Sequence, residues 1–123
     1  MVIELTDKNY QQLIVNTDNP IFIDFYSPTC GPCQILMSYL PKIAEYAEDK
    51  NVSIFKCDVS KNPKIANKYE IKSVPFTLIV TKDKKLDYVE NGVKEIGYYI
   101  NLIDKFNPNK KSLFSKFISI FKG

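Results

Sequence analysis

The sequence predicts an α/β protein with a central mixed sheet of about five strands and helices on both faces. Three observations carry that expectation. Short apolar or alternating runs recur at 2–5, 21–26, 52–58, 76–81 and 86–90. Segments with apolar residues three and four positions apart separate most of them, and only the last two are joined by a short lysine-rich turn. Strands alternating with helices build a parallel sheet covered on both sides, and the closing hairpin makes it mixed.

The elements follow in the order βαβαβαββα. After the strand at 2–5, Thr6 can cap a helix over about 7–15, where Tyr10, Leu13 and Ile14 give helical spacing, and Asn16 to Pro20 breaks it. The run IFIDFY at 21–26 is almost wholly apolar, as in a strand buried on both faces, with Asp24 its one charged member. Residues 33–49 carry Ile35, Leu36, Tyr39, Leu40, Ile43, Ala44 and Ala47 at helical spacing, with Pro41 predicting a kink. Asn62-Pro63 supplies a cap and first turn for a short helix reaching about Tyr69. Gly92 ends the hairpin, and a helix over about 93–106 places Val93, Ile96, Tyr99, Ile100, Ile103 and Phe106 on one face.

With 123 residues, 45% of them hydrophobic, the chain can bury about two-thirds of its unfolded surface in one core. Residues 1–107 read as one domain and 108–123 as a basic amphipathic extension. The extension sets Leu113, Phe114, Phe117, Ile118 and Phe121 against Lys110, Lys111, Lys116 and Lys122. Its expected role is packing on its own domain or on a second copy, with contact at a membrane surface as the alternative.

The formal charge of +3 comes from that extension, which holds four lysines and no acids. The body is therefore not basic, and with no Arg in the chain, bidentate phosphate or guanine recognition has no donor, so no nucleic-acid partner is expected. There is also no His, which removes Ser-His and Cys-His nucleophile pairs and the commonest zinc ligand. The start of the chain lacks a basic segment followed by an apolar one, and no apolar run approaches the roughly 18 residues of a span. Three cysteines, two of them three positions apart, suit a redox pair in a reducing cytosol better than a secreted disulfide framework.

The pair is Cys30 and Cys33 in SPTCGPC, at the start of a helix. A helix N-terminus offers free N–H groups and partial positive charge to the first sulfur, which favours its thiolate, the reactive form. Cys30 is thus expected to attack a target disulfide and Cys33 to resolve the mixed disulfide. Pro32 stiffens the turn, and Gly31 lets a partner approach without a side chain in the way. Half of a zinc site is the competing reading of a Cys-x-x-Cys. Beyond the pair, however, the chain offers only Cys57 where a structural site takes about four N or S ligands, so no metal is expected. Cys57, on a strand, reads as an inert buried residue, with a regulatory thiol as the alternative. Asp24, buried on the preceding strand, would have a raised pKa suited to accepting the proton of Cys33.

The segments IDFYSPTCGPC and FKCDVSKNPKIANKYEIKSVPFTLIV, with CGPC, Asp24, Lys56 and VPFT at their mutual separations, resemble the thioredoxins over residues 1 to about 106. The resemblance implies the thioredoxin fold and protein-disulfide reductase activity. It also implies disulfide-containing protein substrates and an NADPH-linked, flavin-dependent thioredoxin reductase as partner. No bound cofactor is implied beyond the redox-active Cys30–Cys33 disulfide. It further implies that the Val74–Pro75 bond is cis, that the Val74 backbone pairs with an extended target peptide beside Cys30, and that Gly92 leaves room for that target. A bare strand terminator is the alternative for Gly92. Lys56 would lie near Asp24 and tune it; the alternative is a solvated strand lysine.

Two positions depart from the family pattern. Thr29 stands where a Trp usually precedes CGPC, which shrinks the flat target-binding surface. Ser38 stands where the helix proline usually falls, with Pro41 one turn further on. A monomeric disulfide reductase is the leading reading. The alternatives are an oxidase or isomerase on the same fold, which would call for export, and a binding module with incidental thiols.

Overall fold

The computed structural model describes residues 1–108 except 82 and 84. The expected basic extension falls, but for its first residue, outside the described residues. Five strands form one sheet: β1 (Val2–Glu4), β2 (Ile21–Tyr26), β3 (Ser53–Asp58), β4 (Phe76–Val80) and β5 (Leu86–Asn91). Their spatial order is β1-β3-β2-β4-β5. β1 and β2 both run parallel to β3, while β4 is antiparallel to β2 and to β5. The sheet is mixed because the connection from β3 to β4 reverses the chain, so that β4 runs against β2; the β4–β5 hairpin then returns β5 to the direction of β2.

All six residues of β2 are buried, as its central position and its apolar run require. Each face of the sheet is covered. On one, Phe22, Ile54 and Ile79 pack against Leu36, Leu40 and Ile43 of α1 (Gly31–Ala47) and Tyr99, Leu102 and Ile103 of α3 (Ile96–Phe106). On the other, Ile23, Phe25, Phe55, Cys57 and Leu78 pack against Ile14 and against Ile65 of α2 (Pro63–Lys68). The period of two along each strand sends alternate residues to these two cores.

Three local expectations are corrected. The helix at 7–15 is instead a π-helical segment, Gln11–Val15, entered through a turn in which Thr6 and Asn9 hydrogen-bond reciprocally. Asn62 does not cap α2 with its side chain; that role falls to Asp7, whose carboxylate accepts from Lys64 N and Ile65 N at 3.2 and 3.0 Å. Asn62 holds Asp7 in place, its Oδ1 accepting from Asp7 N at 2.9 Å. The last helix starts at Ile96 rather than 93, because Gly92 has a left-handed φ of 78° and Val93 to Glu95 run as loop. α1 runs unbroken through Pro41, which lies on its exposed side.

Among the described residues, no helix is long and apolar enough to cross a membrane.

Candidate active site

Three loops meet at one end of the sheet. Because β4 is antiparallel to β2, with Phe25 opposite Phe76, the exit of β2 and the entry of β4 lie side by side. Because β5 is antiparallel to β4, with Phe76 opposite Asn91, the exit of β5 joins them. The strand register thus brings together Cys30, the Val74–Pro75 loop and Gly92, which stand far apart in sequence.

Cys30 occupies the N-cap of α1 in extended conformation, and Cys33 lies in the first turn. The two are joined in a disulfide, with their Cα atoms 5.2 Å apart. Cys30 Sγ accepts a hydrogen bond from Cys33 N at 3.2 Å. The same bond, made to a thiolate after reduction, favours the charged sulfur, and the helix N-terminus adds its partial positive charge. Pro32 fits the first turn because its missing N–H would have no intrahelical acceptor there. Around Gly31, where a Cβ would stand, there is open space, so nothing blocks approach to Cys30 from that side. Cys30 is partly exposed whereas Cys33 is fully buried.

The Val74–Pro75 bond is cis. Val74 presents its carbonyl oxygen 3.8 Å from Cys30 Sγ, so a strand-like segment docked on this loop would lie beside the sulfur. Gly92 N donates to Pro75 O at 2.9 Å, tying the third loop to the second. The positive φ of Gly92 explains the glycine: any other residue would be strained there. Thr29 is exposed next to Cys30, its Oγ1 3.3 Å from Ser27 Oγ.

Asp24 sits on the sheet face that α1 and α3 cover and is 0% exposed. Neither of its oxygens has a hydrogen-bond partner among the described residues; nor does the buried Thr77 hydroxyl directly opposite it on β4. Desolvation pushes the Asp24 carboxyl up to about 7; Lys56 opposes the rise and Glu4 adds to it. A carboxyl half-protonated near neutrality can both accept and return a proton.

Lys56 stands opposite Asp24 in the β2–β3 register, partly exposed, and its ammonium is paired with Glu4 of β1 at 3.9 Å. Tyr26 donates from its hydroxyl to both Glu4 oxygens, at 2.9 and 3.2 Å. Sequence reasoning missed Glu4 and the hydroxyl of Tyr26. The alternation in VIEL puts Val2 and Glu4 on one face, but only the register shows that this face continues through Lys56 to Asp24.

Cys57 is fully buried on β3, and burial pushes its thiol up to about 12, so at neutral pH it stays protonated and unreactive. Among the described residues no group of three or more His, Cys, Asp or Glu could hold a metal ion.

A partly exposed sulfur at a helix N-terminus, bonded to a buried one and flanked by the Val74–Pro75 loop, defines the class: a dithiol–disulfide exchange site on an α/β sheet. Comparison with known proteins narrows the class. The family model described as Thioredoxin matches residues 1–103. The chain is 32% identical over 93 residues to a thioredoxin of Griffithsia pacifica, a match covering 76% of this chain and 84% of that protein. It is 41% identical over 78 residues to "Thioredoxin Y1, chloroplastic" of Arabidopsis thaliana, covering 63% of this chain and 44%, less than half, of that longer protein. The crystal structure of chloroplastic thioredoxin z is similar with a TM-score of 0.75 and 25% identity, covering 85% of this chain and 93% of that one. The chain belongs to the thioredoxin family.

Proposed function

We propose that this chain is a protein-disulfide reductase acting by thiol–disulfide exchange. The Cys30 thiolate attacks one sulfur of a target disulfide, forming a Cys30–target bond and releasing the other target sulfur as a thiolate. Cys33, passing its proton to Asp24, attacks Cys30 Sγ; the Cys30–Cys33 disulfide closes and the second target sulfur leaves. Two electrons move from the chain to the target, and the leaving thiolates take up protons, one of them from Asp24 or solvent. The observation that carries this reading is the asymmetry of the pair: Cys30 partly exposed at the N-cap, Cys33 fully buried in the first turn.

Targets are disulfide-containing proteins, which dock an extended segment on the Val74 backbone, with Thr29 and Gly92 at the rim. The dithiol is restored by an NADPH-linked, flavin-dependent thioredoxin reductase in a reducing, cytosolic compartment, and the chain works as a monomer with no bound cofactor. Family membership supports both the substrate class and the reductase.

The order of attack has a direct test. Cys33→Ser, incubated with a disulfide-containing protein, should accumulate a mixed disulfide stable to gel electrophoresis and lost on reduction, while Cys30→Ser should accumulate none. Equal trapping by both variants would contradict the assignment of roles.

A further inference from the structure

Glu4, Lys56 and Asp24 stand in one row across β1, β3 and β2, each opposite the next in the register. Lys56 is the middle member, one strand spacing of about 4.8 Å from either carboxylate position. Its ammonium sits with Glu4, the half-exposed one, while both oxygens of the buried Asp24 lack partners among the described residues. Glu4 is itself held: the Tyr26 hydroxyl, from the strand on the far side of Lys56, reaches both its oxygens. The buried acid is thus kept without a close counter-charge, and the reason lies two strands away.

We propose that Glu4, clamped by Tyr26, is a positioning residue that draws the Lys56 ammonium to the outer end of the row and thereby sets the proton affinity of Asp24. The inference rests on the reading in which Asp24 takes the proton of Cys33. A lysine free to lean inward would favour the Asp24 carboxylate, and the charge of Glu4 works in the opposite sense. Both effects of Glu4 keep the proton on Asp24 to higher pH. The other groups around Asp24 carry no formal charge at neutral pH: Thr77 opposite it on β4 and Tyr99 from α3; Cys33, at the start of α1, is in the disulfide and does not titrate. Glu90, beyond Thr77 on β5, is occupied by the Tyr88 and Tyr98 hydroxyls and by Lys94. Lys56 and Glu4 are therefore the charges whose arrangement decides the outcome.

The experiment follows the Asp24 carboxyl carbon by ¹³C NMR across pH in the full-length disulfide form, for the native chain, Glu4→Gln, Lys56→Met and the double variant. Gln keeps an acceptor for Tyr26 and removes the charge that holds Lys56. The Asp24 midpoint should fall in Glu4→Gln by on the order of half a pH unit, the scale of one solvent-screened charge. It should rise in Lys56→Met, and in that background Glu4→Gln should lose most of its effect. An unchanged midpoint in Glu4→Gln, or the same fall with and without Lys56, would overturn the proposal. The pH profile of mixed-disulfide resolution by Cys33 keeps the two readings apart. If the NMR midpoint moves as stated while that profile stays fixed, the Glu4 inference stands and Asp24 is not the base for Cys33.

Discussion

Asp24 is where single-residue physics is most exposed. Burying a carboxylate away from partners disfavours its charged form, which is why its carboxyl sits at about 7 rather than at 3.8. The unfolded chain gives up this proton near pH 4, whereas the folded chain holds it until about pH 7. Between those values the unfolded state binds fewer protons, so the contribution of Asp24 to stability falls as pH rises and then levels off. Asp24→Asn should therefore be more stable than the native chain at pH 8 by on the order of 4 kcal/mol beyond any difference at pH 4, as the shift of about three units implies. Urea unfolding at the two pH values checks this, and a difference independent of pH would contradict it. The cost was legible at the residue itself, since one acid in an otherwise apolar strand calls for an explanation. The fate of Lys56 was not, because an ion pair with Glu4 depends on register, which alternation alone leaves open.

Elements were predicted in their right order and nearly their right bounds, because burial on two faces and helical spacing leave a strong periodic signal. What failed were ends and caps. Asn62-Pro63 has the sequence form of a helix start, yet the free N–H groups of α2 are met by Asp7, 57 residues back in the chain. No local reading finds a cap that arrives from another element. Asp7→Ala should cost about 1 kcal/mol, within the range for losing an N-cap, and should raise amide exchange in residues 63–68 without changing it in α3. Thermal unfolding with hydrogen exchange reads both; an effect spread evenly over the chain would mean that Asp7 does something other than cap α2. The cis Val74–Pro75 bond was equally hidden, since an X–Pro bond is cis only about 5–6% of the time and the residues alone do not mark it. Family likeness supplied that expectation; residue chemistry did not.

At the scale of the whole molecule, the sheet topology assembles the site. One reversal of direction, between β2 and β4, puts the Cys30 turn and the cis-proline loop at the same end, and the hairpin that follows brings Gly92 to meet them. α1 then presents its N-terminus to Cys30 and covers Asp24 with its buried side. These parts favour a thiolate at Cys30 and set a buried proton acceptor on the covered face of the sheet. The departures at Thr29 and Pro41 leave this framework in place. The most direct test of the account is the reduction potential of the Cys30/Cys33 pair, equilibrated in defined glutathione or dithiothreitol buffers and read by thiol alkylation and mass spectrometry. A disulfide reductase should give a value near the reducing end of the fold, about −270 mV. A value in the range of about −180 to −120 mV, where isomerase and oxidase relatives work, would contradict it.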